Sequence, residues 1–166
     1  MKNGEDGPAR GTATDKATAT AEARTTAAAR RVGPRFAEEV ERIGAQVVDA
    51  GYTVHQALGP GLLESVYEAC LAHELGKRGL TVRTQVPMPV TYDGARFEAG
   101  FRLDTLVEEQ IVVEVKAVEA ILGVHIAQLR TYLKLSGLQL GFLMNFNVAL
   151  FRTEIRRVTV GAGSRA

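Results

Sequence analysis

FRLDTLVEEQIVVEVK, residues 101–116, decides the fold. Two apolar runs flank a short acidic break, Glu108-Glu109-Gln110. The run IVVEV is β-branched on both faces, as a strand covered on both sides requires. Glu114 and Lys116 stand two residues apart, so they share a face of that strand. A carboxylate and an ammonium in the most apolar strand of the chain are costly unless they pair or meet a ligand. A Glu–Lys pair at the strand's exposed end is the bland alternative. Asp104 lies in the preceding strand, and loop length decides where it points. A three-residue loop, Glu108-Glu109-Gln110, sets Asp104 opposite Glu114. A two-residue loop turns it to the other face, because a one-residue slip flips every side chain. Two carboxylates directly opposite repel unless a cation lies between them. Mg²⁺ favours one or two carboxylates plus waters and phosphate oxygens. The three-residue register therefore gives a metal site, and the two-residue register does not.

Upstream of this pair, residues 80–92 alternate and carry two prolines, which predicts an edge strand. Asp93-Gly94 predicts a hairpin turn into a strand over 95–107. Residues 36–57 have helical spacing, with Gly51 weakening the middle, and LGPGLL (58–63) breaks that helix. A second helix follows over 61–78, its stripe running through Leu63, Val66, Tyr67, Cys70, Leu71 and Leu75. Gly79 fits the position just past its end. Downstream, residues 122–135 return to helical spacing and stop at Gly137. Residues 138–147 predict another apolar strand and 153–160 a short last one. The order is α-α-β-β-β-α-β-β, a mixed sheet flanked by helices, in the α/β or α+β class.

The helices carry the remaining candidates. Glu64 borders the apolar stripe of its helix, where a favourable interaction with the helix dipole is the plainer role. Gln128 and Tyr132, spaced i and i+4, project together beside the strand ends, or form a polar helix flank. His55 precedes the LGPG break and His125 lies one turn before Gln128–Leu129. Each is a candidate acid–base group, with capping or a surface position as the alternative. Tyr67 reads as core with its hydroxyl on a partner, and Cys70 as a small buried apolar residue.

Composition bounds the rest. The chain has 166 residues, a formal charge of +1, 46% hydrophobic and 23% charged residues, and one cysteine. That excludes wholesale disorder, a coiled coil, a disulfide framework and a Cys-rich zinc site. A lone cysteine suits a reducing cytoplasm. Residues 1–35 hold seven basic residues against four acidic ones; the rest holds thirteen against fifteen. The Ala/Thr/Arg-rich segment 1–35 is expected to be a disordered tail, and 36–162 the working domain. The faintly acidic body excludes a strongly basic nucleic-acid glue. Arg83, Arg96, Arg102, Arg130 and Lys134 could form a local basic patch, and Arg152, Arg156 and Arg157 another. No stretch approaches the ~20 apolar residues of a membrane span.

Gly61-Leu62-Leu63-Glu64-Ser65-Val66-Tyr67 resembles the GxxExxY signature of a bacterial protein family. HQALGPGLLESVYE (55–68), AQLRTYLKLSG (127–137) and NFN (145–147) strengthen the likeness. That family is similar to the PD-(D/E)XK nucleases. The resemblance implies a restriction-endonuclease-like core and Mg²⁺- or Mn²⁺-dependent hydrolysis of DNA or RNA phosphodiesters. It makes Asp104 the metal-binding aspartate and Glu114-Val115-Lys116 the (D/E)XK element. Gln128 and Tyr132 look like the QxxxY motif of the RecB-like branch, and Glu64 the acidic residue of the first core helix. The implied metal ligands are Asp104, Glu114, the Val115 carbonyl and Glu64 through water. The implied partner is nucleic acid, with a homodimer or a larger DNA-processing assembly. A non-catalytic binding module of the same fold is the rival reading. An exposed apolar patch over Leu138–Phe151 would favour it.

Overall fold

The structure is a computed structural model that describes residues 38–161. The expected tail, 1–35, lies outside the described residues. Helices α1 (Glu38–Leu58) and α2 (Glu64–Lys77) come first. Strands β1 (Val82–Tyr92), β2 (Ala95–Val107) and β3 (Ile111–Lys116) follow. Helix α3 (Gly123–Ser136), strand β4 (Leu140–Asn145), a 3₁₀ turn (Phe151–Glu154) and strand β5 (Ile155–Thr159) complete the chain. The element order is the one read from the sequence. Helix α2 starts at Glu64, not at 61, because Gly59 and Gly61 hold left-handed backbone (φ 65° and 103°).

The strands form one five-stranded sheet in the order β1-β2-β3-β4-β5. Pairing is antiparallel except between β3 and β4, which run parallel and are joined through α3. The proline-bearing β1 is an edge, as its missing N–H groups require. The β-branched β3 is the centre. Ile111, Val113 and Val115 pack with Val47, Tyr67 and Leu71 on the α1–α2 face. Val112 packs with Leu129, Leu133 and Leu143 on the α3 face. Each such fully buried side chain contributes about 1.5–3 kcal/mol.

Glycines let α1 lie close on the sheet. A Cβ at Gly51 would stand 3.0 Å from Met144 Sδ and 3.1 Å from Phe151 Cε1. The residue that weakens the helix as a local structure is what lets it dock.

Two irregularities set the registers. The β2–β3 loop has three residues, with Thr105 opposite Val113 and Val107 opposite Ile111. Its Glu108 and Glu109 both hold positive φ (51° and 52°), which non-glycine residues adopt at a cost. Neighbours offset that cost. Glu108 accepts from the Thr81 N–H at 2.7 Å while its own N–H donates to the Thr81 carbonyl, and Glu109 pairs with Arg83 at 3.0 Å. The second irregularity is a bulge. Met88 faces Phe101, yet Val90 faces Phe97, so β2 carries two extra residues there.

Candidate active site

The three-residue loop sets Asp104 level with Glu114. Asp104 stands one residue beyond the paired ladder and turns its carboxylate onto β3, accepting from the Val115 N–H at 3.1 Å. Lys116 follows two residues after Glu114. Its ammonium lies 3.7 Å from Glu114 Oε2, 3.8 Å from Glu64 Oε2 and 3.9 Å from Asp104 Oδ2, and donates to the Val115 carbonyl at 3.0 Å. Glu64 opens α2 and also accepts from the Ala117 N–H at 3.2 Å. Three predicted carboxylates from three elements thus meet around the ammonium of a fourth predicted residue.

The spacing of Gly61, Glu64 and Tyr67 has a physical reason. Tyr67 is fully buried, stacked on Phe146 with ring centroids 4.7 Å apart. Its hydroxyl donates to the Gly59 carbonyl at 2.6 Å and accepts from the Leu62 N–H at 3.1 Å. One side chain therefore fixes the loop that leads into α2 and aims Glu64 at β3.

Burial gives this cluster its chemistry. The Glu114 side chain is 3% exposed, and its Oε1 has no hydrogen-bond partner. Desolvation, then the neighbouring Asp104 charge, pushes its carboxyl up to about 8. Asp104 is also raised by burial, with Lys116 and the Val115 N–H pulling the other way. One ammonium does not satisfy the carboxylates around it. An all-oxygen donor set with an orphaned, buried oxygen fits a hard divalent cation. Among the described residues no three His, Cys, Asp or Glu side chains form a ready cage.

The other predicted residues lie in a different setting. Gln128 Nε2 donates to the Tyr132 hydroxyl at 2.6 Å, and Tyr132 stacks on Phe101 with centroids 4.2 Å apart. His55 Nε2 lies 2.7 Å from the Val148 carbonyl, its ring stacked on Phe151. His125 Nδ1 accepts from the Leu122 N–H at the start of α3. Both imidazoles meet backbone groups, His55 that of Val148 and His125 that of Leu122. Of the predicted basic residues, Arg83, Arg96 and Arg157 pair with Glu109, Glu98 and Glu41. Arg102, Arg130 and Lys134 are exposed.

Three residues at or beside the site escaped the sequence reading. Glu68, one turn after Glu64, accepts from Gln85 Nε2 at both carboxylate oxygens. Its i, i+4 spacing from Glu64 was the available signal. Gln85 gave none. Asn145 lies level with Lys116; its Oδ1 accepts from the Val118 N–H and its Nδ2 donates to the Val118 carbonyl. It holds the chain as it leaves β3, and was visible only inside the NFN motif.

A mixed sheet between helices, with an aspartate, a glutamate and a lysine gathered at its central strand, defines the restriction-endonuclease-like class. A sequence model of the PD-(D/E)XK nuclease superfamily matches residues 41–158, and the chain belongs to that superfamily. No curated protein and no solved structure matches it. Among the described residues no helix is long and apolar enough to cross a membrane.

Proposed function

We propose that the chain is a Mg²⁺-dependent nuclease, with Mn²⁺ as the substitute ion, of the GxxExxY family and the RecB-like branch. One observation carries the reading: Glu114 is buried beside Asp104 and Lys116 with an oxygen left unpartnered. Asp104, Glu114 and the Val115 carbonyl, with Glu64 through water, would hold the ion, which supplies Lewis acidity and an acidified water. Lys116 stands among the carboxylates, where it orients the attacking water or stabilises developing negative charge. Gln128 and Tyr132, already tied together on α3, position substrate. The substrate is DNA or RNA, and the enzyme works in a bacterial cytoplasm, as a homodimer or in a larger DNA-processing assembly.

The binding-module reading lacks its supporting feature. Among the large apolar side chains of 138–151, Leu150 is the exposed one, and 140–146 are buried. The test is cleavage of single- and double-stranded DNA and RNA with Mg²⁺ or Mn²⁺. Cleavage that disappears in Asp104→Ala and Lys116→Ala is expected. A wild type that cuts nothing, or a Lys116→Ala variant that cuts equally well, sinks the proposal.

A further inference from the structure

The β1–β2 pairing places Thr84 opposite Thr105 and Val86 opposite Leu103. Gln85 is therefore level with Asp104, which is level with Glu114. One row across three strands carries an amide and two carboxylates. Gln85 holds left-handed backbone, φ 52°, although it is not glycine. Its amide reaches α2 and donates to both oxygens of Glu68, at 3.1 and 2.9 Å. Glu68 is half-buried and its carboxyl is raised by that burial, with the Asp104 and Glu64 charges adding and Lys116 opposing. It thus shares the electrostatic neighbourhood of the cluster.

We propose that Glu68 belongs to this site as a further carboxylate that raises its affinity for a divalent cation, with Gln85 fixing its orientation. The inference rests on the metal-dependent reading above. Three carboxylates, Glu64, Asp104 and Glu114, lie within 4.0 Å of one ammonium, and Glu68 stands one turn along α2 from Glu64, so acidic groups outnumber the cation. A separate observation points to a ligand: Glu114 is 2% exposed and its Oε1 is unpartnered. A carboxylate that touches the ion's ligands through the field, not the ion itself, typically changes metal affinity by about 10–100-fold. Glu68 acts through its charge, one turn along α2 from Glu64, and Gln85 is the positioning residue that aims it. The rival role is a mechanical tie between α2 and β1.

Glu68→Gln separates these roles. The new amide oxygen still accepts from Gln85, so the tie survives while the charge is lost. Calorimetric titration of the full chain with Mn²⁺ is the readout, beside urea unfolding without metal. The expected result is a dissociation constant raised about tenfold, with an unchanged unfolding midpoint. Asp93→Asn, an equal change of charge at the distant hairpin turn, should leave Mn²⁺ affinity within twofold. Gln85→Leu should weaken binding in the wild type but add nothing to Glu68→Gln, since it acts through Glu68. Equal Mn²⁺ affinity in wild type and Glu68→Gln overturns the inference. If that equality appears while Glu114→Gln abolishes binding, the nuclease reading stands and only Glu68's role falls. A wild type that binds no Mn²⁺ overturns both.

Discussion

Glutamine at position 114 should make the metal-free protein more stable at alkaline pH. The Glu114 carboxyl is raised from its ordinary 4.5 to about 8. Between those values the folded state holds a proton that the unfolded chain has released. Stability is therefore fully present below about 4.5 and is lost as pH rises through about 8. Each pH unit in the window costs about 1.4 kcal/mol, or on the order of 5 kcal/mol across it. Glu114→Gln keeps the shape and cannot ionise. Urea unfolding in EDTA, followed by circular dichroism from pH 5 to 9, measures the difference. Near pH 5 the two proteins should differ by less than about 1 kcal/mol; near pH 8.5 the variant should lead by several. Asp104 is raised in the same direction and interacts with Glu114, so the gap reports the loss of Glu114 together with its effect on Asp104. Saturating Mg²⁺ should narrow the gap, by about 2.7 kcal/mol at a hundred times its dissociation constant. A gap that stays constant across pH refutes the reasoning, because it would mean Glu114 ionises in the fold as freely as in water.

Other variants probe the supports of the site. Tyr67→Phe strands the Gly59 carbonyl and the Leu62 N–H, and should cost about 1–3 kcal/mol in urea unfolding. Gly141→Ala puts a Cβ 2.9 Å from Leu129 Cδ1 and 3.2 Å from the Val112 carbonyl, and should destabilise by about 1–3 kcal/mol. Asn145→Ala removes both bonds to Val118 and should cost about 2–3 kcal/mol. Limited proteolysis should also cut 117–122 faster in that variant.

Much of this was legible because the signals were local. The alternation of 80–92, the Asp93-Gly94 turn and the β-branched run at 111–115 each name their element. The positive φ of Asp93 and Gly94 (48° and 74°) is what that dipeptide predicts. The sequence left the β2–β3 register open between two loops. The three-residue loop wins through bonds to Thr81 and Arg83, residues about 25 positions upstream that no local reading weighs. Gln85 was hidden for a related reason. A hairpin closed at Asp93-Gly94 without a bulge pairs Asp104 with Arg83. The two extra residues of β2 bring Gln85 there instead. The pairing of Gln128 with Tyr132 follows from i, i+4 spacing, whereas its stacking against Phe101 depends on how α3 crosses the sheet.

The bulge between Met88 and Val90 makes the chemistry of the site a matter of counting. Excising two residues from 86–91 of β1, with the bulge kept and every acidic and basic group of the centre left in the gene, would slide β1 along β2 by one pleat pair. Arg83 would then arrive beside Asp104 in place of Gln85, bringing a fixed positive charge to the carboxylate that the proposed ion needs. An insertion or deletion well away from the cluster could thus silence it or retune it in one step. Sequences of this kind should therefore be compared by the length of that hairpin as well as by the letters of their motifs.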